Sequence, residues 1–155
     1  MAIKWREKMS VDGGLIDQDH KHLIDIINRF EEISADGLDT DEANEILYAL
    51  KFYTATHFER EEQVQRLVNY PYRDAHASEH RELITALDEI IDGVKQGEHA
   101  DDEASRLRLN QFLHDWIVNH IIGSDLRMSP FIEGFKQGEL GLGALKDVEC
   151  SPDAF

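Results

Sequence analysis

Seven side chains constrain what this chain can fold into: His20, then His57 with Glu61, His76 with His80, and His120 with Asp125. Within three of these clusters the two residues stand four or five positions apart. An α-helix has about 3.6 residues per turn. Such pairs share a helix face roughly one turn apart, with Cβ atoms about 5–6 Å from each other. That spacing is workable for two ligands on one metal centre. Five imidazoles and two carboxylates are too many for one ion and suit two ions bridged by the carboxylates. A fold that uses them has to bring four separate segments to one point.

The apolar periodicity supplies such a fold. Leu23, Ile24, Ile26, Ile27, Phe30 and Ile33 recur at spacings of three and four, which predicts an amphipathic helix over about 17–36 that stops near Asp36-Gly37. Asp39 with Glu42 three residues on resembles a capping box and starts a second helix, which ends before Tyr70-Pro71. A third is expected over about 73–95, closed by Lys95-Gln96-Gly97, and a fourth over about 101–122, broken near Gly123-Ser124. A short helix is expected around 126–136, interrupted by or starting at Pro130. Strand signals are weak throughout. The expected fold is all-α, an up-down-up-down four-helix bundle. Residues 1–15 read as an extended arm with Trp5 folded back over apolar surface, and 137–155 as a tail, mobile or loosely docked. The domain is expected over 1–136, arm included.

Bulk properties limit the partners. With 155 residues the chain favours one domain, and 41% hydrophobic residues can bury a real core. A net charge of −16 repels nucleic acid and anionic membrane surfaces, so neither is an expected partner. No apolar run approaches the ~18–20 residues of a membrane span. The N-terminal residues lack an apolar stretch of signal-peptide type. The single cysteine, Cys150, excludes an intramolecular disulfide and reads as a bystander. These features point to a cytoplasmic protein.

Each predicted helix carries part of the histidine–carboxylate pattern, and a bundle core is where facing helices converge on a metal. By ligand type alone iron, zinc and manganese all fit. His22, His99 and His114 fall off the pattern: His22 points away from His20 on a helix, His99 sits in an acidic stretch, and His114 is out of phase with His120. His76-Ala77-Ser78-Glu79-His80 also matches the H-x-x-E-H pattern of inverted zinc peptidases, in which the glutamate is the general base. That reading leaves His20, His57, Glu61, His120 and Asp125 unexplained. Glu79 is more simply a solvated residue or one that supports a ligand.

The stretches Ile16-Asp17-Gln18-Asp19-His20-Lys21, His57-Phe58-Glu59-Arg60-Glu61-Glu62, His76-Ala77-Ser78-Glu79-His80 and Trp116-Ile117-Val118-Asn119-His120-Ile121 with Asp125 together resemble hemerythrin in its single-domain bacterial form, over about residues 3–136. The resemblance implies two iron ions per chain. His76, His80 and His120 would hold one, His20 and His57 the other, with Glu61, Asp125 and an oxo or hydroxo group bridging both. One coordination position would stay open, on one iron only, for reversible binding of dioxygen. The implied role is oxygen storage, delivery to an oxygen-using enzyme, or oxygen sensing, by a monomer or weak oligomer. A di-iron oxidase, peroxidase or nitric oxide-handling enzyme is the alternative. Phe58, Gln65, Trp116 and Ile117 would line the oxygen pocket, where apolar neighbours exclude the water and protons that promote autoxidation.

Two positions depart from the family pattern. Gln65 stands where methionine is common, on or near the ligand face, and either alters autoxidation or points to the pocket mouth. Met128 stands where tyrosine is common.

Overall fold

The structure, a computed structural model, describes residues 1–138; Cys150 and nearly all of the expected tail lie outside the described residues. Four long helices form the bundle: α1 (Leu15–Ile33), α2 (Thr40–Leu67), α3 (Arg73–Lys95) and α4 (Glu103–Gly123). A one-turn 3-10 helix, Asp125–Met128, leads into the short α5 (Ser129–Lys136). Among the described residues there is no strand, and no helix is long and apolar enough to cross a membrane.

The helix ends follow local chemistry. Asp39 caps α2, its carboxylate accepting from the Glu42 amide at 2.9 Å. At the end of α3, Gly97 takes φ +83°. Its amide reaches the Val94 carbonyl at 3.0 Å and the Glu98 amide reaches Gly93 at 3.0 Å, the reciprocal pair of bonds that a left-handed glycine permits. Pro130 lies in the first turn of α5, where no amide hydrogen is needed. α1 begins at Leu15, two residues before the expected start. Asp12 is the reason: its carboxylate accepts from the amides of Gly14, Ile16 and Asp17 at 2.8–3.1 Å.

The N-terminal arm is extended up to a 3-10 turn at Glu7–Met9 and then bends through residues 11–14 into α1. It is tied to α1 at Ile3, whose backbone amide and carbonyl both bond the Asn28 side chain, at 2.7 and 2.9 Å. Ile3 and Met9 are buried, and Trp5 packs half-buried against the main core. The ring of Trp5 lies 6.5 Å from that of His20, with the Lys21 ammonium 5.0 Å from the indole.

Up-down-up-down connectivity places the N-terminal ends of α1 and α3 beside the C-terminal ends of α2 and α4. His20, His76 and His80 lie near the first kind of end, and His57, Glu61 and His120 near the second. The core is correspondingly split. A large apolar cluster, including Leu23, Phe30, Leu47, Leu50, Leu87, Leu113 and Ile117, fills most of the bundle. A smaller one, with Ile16, Val64, Val68, Tyr70, Met128 and Ile132, plugs the other end. By sequence, the histidines and carboxylates fall between these two plugs.

Candidate metal centre

All seven residues singled out by spacing are buried: Glu61, Asp125 and His20 are fully so, and His57, His76, His80 and His120 are at most 4% exposed. They form two overlapping groups whose ligand atoms lie within 4.8 Å of one another, Glu61–His76–His80–His120–Asp125 and His20–His57–Glu61–Asp125. Both carboxylates belong to both groups.

Each carboxylate divides its two oxygens between the groups. Glu61 turns Oε1 toward Nε2 of His20 and His57, at 3.8 and 3.7 Å, and Oε2 toward Nε2 of His76 and His80, at 3.5 and 3.2 Å. Asp125 turns Oδ2 toward His20 at 3.0 Å and Oδ1 toward His76 and His120, at 3.0 and 2.9 Å. Nε2 of His20 and Nε2 of His57 stand 3.1 Å apart. Two nitrogens each about 2.1 Å from one ion and at right angles would be separated by about 3.0 Å.

Asp125 reaches this point by a device that spacing alone misses. This corrects the expectation that His120 and Asp125 share a helix face: on a continuous helix a residue five positions after His120 would lie about 140° around the axis, off the ligand face. α4 instead ends at Gly123, and the 3-10 turn beginning at Asp125 returns the carboxylate to the interior.

The outer nitrogens are held by carboxylates, of which the sequence pointed only to Glu79 as a residue that supports a ligand; Asp19 and Glu62 were not singled out. His57 Nδ1 faces Asp19 at 3.4 Å, His80 Nδ1 faces Glu62 at 2.9 Å, and His120 Nδ1 faces Glu79 at 2.8 Å. An ionised carboxylate only accepts, so each Nδ1–H donates and Nε2 faces inward as the nitrogen that would bind a metal once it gives up any proton it carries. The signal was present: each supporting acid adjoins a member of the pattern in sequence or, like Asp19 beside His20, precedes one. Glu79 also accepts from Ser124 Oγ at 2.7 Å. Its carboxylate is thus engaged in orienting His120, which removes the peptidase reading of H-x-x-E-H.

Electrostatics show what this cluster is built to hold. Burial would strip the proton from His76, yet Asp125 and Glu61 outweigh it and push its pKa up to about 10. His120 is raised to about 9, burial again being outweighed by Asp125, Glu61 and Glu79. His20 is raised too, against burial, chiefly by the Asp125 carboxylate beside it. Burial works to raise the pKa of Glu61 and Asp125, joined at Glu61 by repulsion from Asp125, but the surrounding histidines hold both below the ordinary carboxylate range. Two anions are therefore buried among five imidazoles and call for positive charge. Both oxygens of each carboxylate, and Nε2 of His76, His80 and His120, have no hydrogen-bond partner in the protein. Buried polar atoms left so are costly. Cations at the convergence point satisfy all of them, so these residues fit a metal centre.

The expected pocket residues are dispersed. Phe58 stacks on His80, with centroids 3.8 Å apart and planes 5° from parallel, and meets His120 edge-on at 5.4 Å. It therefore leans on the three-histidine group more than on His57, 5.6 Å away. An open groove of about 610 Å³ between α2 and α3 has Phe58 and His80 among its lining residues. Trp116 and Ile117 lie in the main core, the indole N–H donating to the Leu83 carbonyl at 3.2 Å. Gln65 is fully buried and lies among the residues lining a groove of about 270 Å³ with Glu62, Arg66, Arg73, Asp74 and Ala77. Its Nε2 donates to Met128 Sδ at 3.3 Å, while its Oε1 is unpartnered. Gln65 and Met128 follow Glu61 and Asp125 by about one turn, which brings the two departing positions together. His22 packs edge-on against Tyr53, His99 bonds Ser105, and His114 faces Asp115; none belongs to either ligand group.

The family model of the hemerythrin HHE cation-binding domain matches residues 14–132. A bacteriohemerythrin of Stenotrophomonas maltophilia is 27% identical over 123 residues, covering 79% of this chain and 76% of that protein. One from Methylococcus capsulatus is 29% identical over 117 residues, covering 76% and 86%. The solved structure of wild-type hemerythrin superimposes with a TM-score of 0.71 at 26% identity, over 84% of this chain and 97% of that one. With the four-helix bundle and the buried histidine–carboxylate cluster, these matches establish that the chain belongs to the hemerythrin family.

Proposed function

We propose that this protein binds two iron ions and, through them, binds dioxygen reversibly, as a store, delivery agent or sensor and not as an enzyme. The observation that carries the reading is the division of oxygens at Glu61 and Asp125 between a three-histidine and a two-histidine group. Two ferrous ions held there would supply the two electrons that reversible dioxygen binding requires. His76, His80 and His120 would hold one ion, His20 and His57 the other, with Glu61 and Asp125 spanning both.

The protein's own contribution is orientation and packing. Asp19, Glu62 and Glu79 fix three imidazoles in the metal-binding tautomer. The two apolar plugs pack on either side of the cluster, whereas Phe58 and His80 line the open groove between α2 and α3. The enzymatic alternative called for a water-accessible pocket around Gln65; Gln65 is itself buried but lines a groove of about 270 Å³ with Glu62, Arg66 and Arg73, so cycling with oxygen decides between the two readings.

The test is optical. Purified protein is analysed for metal, reduced without oxygen, then cycled between air and degassing while the visible spectrum is recorded. Two irons per chain with a charge-transfer band that appears and disappears support the proposal. Irreversible conversion to the ferric form supports the enzyme instead, and one zinc without colour removes the di-iron reading.

A further inference from the structure

The inward face of α2 is apolar through Ala43, Ile46, Leu47 and Leu50, then turns polar at Thr54, His57 and Glu61. Thr54 is fully buried, and its hydroxyl has no partner in the protein. Threonines in helices commonly bond back to the carbonyl four residues earlier. Thr56 does so to Phe52 at 3.0 Å and Thr85 does so to Arg81 at 2.9 Å. Thr54 does not. Among the fully buried described residues outside the seven, unpartnered side-chain atoms occur only at Thr54 and Gln65. Gln65 follows Glu61 toward the smaller plug, and its amide already reaches Met128. Thr54 lies on the main-core side, three residues before His57 and four before Phe58, within one turn of both.

In the two-histidine half, Nδ1 of His57 faces Asp19 at 3.4 Å. His80 and His120 have close carboxylate partners, whereas Nδ1 of His20 is buried without one. A buried hydroxyl left unmatched is costly unless something arrives to pair with it. We infer that Thr54 is a specificity-determining residue whose hydroxyl hydrogen-bonds a small exogenous ligand taken up beside His57, favouring diatomic or triatomic ligands that accept a hydrogen bond. The inference rests on the proposed di-iron reading.

Thr54→Val keeps the shape and removes the hydroxyl, and Thr54→Ser keeps the hydroxyl. Two measurements are made on wild type and both variants: azide affinity of the iron-loaded ferric protein, by spectral titration, and the urea midpoint of the chelator-treated protein. Thr54→Val is expected to weaken azide about tenfold, the scale of one ordinary hydrogen bond. Thr54→Ser is expected to stay within about threefold of wild type. The chelator-treated Thr54→Val protein is expected to unfold at an equal or higher urea concentration, because an unmatched polar group has been removed. Unchanged azide affinity in Thr54→Val overturns the inference. So does a lower urea midpoint, which would show the hydroxyl bonded to the backbone. Wild-type protein that fails to load two irons overturns the underlying reading instead, and metal analysis separates the two cases.

Discussion

Glu79 on α3 accepts a hydrogen bond from Nδ1 of His120 on α4 at 2.8 Å, and the relationship repeats around the bundle. Asp19 on α1 faces His57 on α2, and Glu62 on α2 faces His80 on α3. Each of the first three helices thus orients an imidazole on the next, so metal affinity is coupled to the mutual packing of the helices. Glu79→Ala frees His120 and the Ser124 hydroxyl together. It is expected to lower metal affinity about 10–100-fold, measured by chelator competition, with the helical content unchanged. Glu79→Gln retains an acceptor and is expected to lose less. Equal affinity in wild type and Glu79→Ala would show that the carboxylate is a bystander.

Protons and metal compete for the same histidines, and this gives opposite pH trends for the two forms. In the chelator-treated protein His76 and His120 have raised pKa values, about 10 and about 9. Their contribution to stability is complete below about 6.5, the unfolded value, and is lost as pH rises through 9 and 10. Glu61 and Asp125 have lowered values, so their contribution is present above about 4.5 and lost on acidification. The chelator-treated protein should therefore be most stable between about pH 4.5 and 6.5. Metal affinity should instead rise with pH across the alkaline range, since the ligands must shed protons. Urea unfolding and chelator competition, each run from pH 4 to 10, check both slopes. Parallel slopes would contradict the account.

Gln65 carries an unpartnered amide oxygen in a fully buried position. Gln65→Met removes that group and keeps side-chain length, beside the Met128 sulfur. The chelator-treated variant is expected to be about 1 kcal/mol more stable than wild type. A loss of stability in urea unfolding would mean that the amide is satisfied. Autoxidation in air, measured on the same pair, shows whether the amide also acts on the metal centre; equal rates would remove that role.

Asp17 anchors the turn between the arm and α1. Its carboxylate accepts from Ser10 Oγ at 2.5 Å and from the amides of Val11 and Gly13 at 2.7 and 3.0 Å. Asp17→Ala leaves these donors unpaired in a largely buried turn and is expected to cost about 1–3 kcal/mol in urea unfolding. Because the turn holds the arm that carries Trp5 toward His20, the indole fluorescence is expected to shift as the arm loosens. An unchanged midpoint would place the arm's anchorage at Ile3–Asn28 alone.

The parts of this molecule most legible in the sequence are those that one helix decides for itself. The three- and four-residue apolar rhythm from Leu23 to Ile33, the Asp39 cap and the glycine stop at Gly97 depend on neighbours within a few positions, and all appear where expected. The seven inward residues were legible because His57–Glu61 and His76–His80 share helix faces, and the structure brings them together with His20, His120 and Asp125. What spacing could not show is how helices meet. Asp125 needed a break after Gly123, Asp12 moved the start of α1, and Asp19, Glu62 and Glu79 act on histidines 38, 18 and 41 positions away in sequence. The burial of Gln65 was equally hidden, because its partner Met128 arrives from a different element.

The central claim is that Glu61 and Asp125 each span two metal ions. Iron titrated anaerobically into chelator-treated protein, followed by oxidation and electron paramagnetic resonance, tests it most directly. The account predicts two irons per chain whose ferric spins couple into a silent ground state, with the coupling weakened or lost in Asp125→Ala. One iron per chain, or two that each give an isolated high-spin ferric signal, would contradict it.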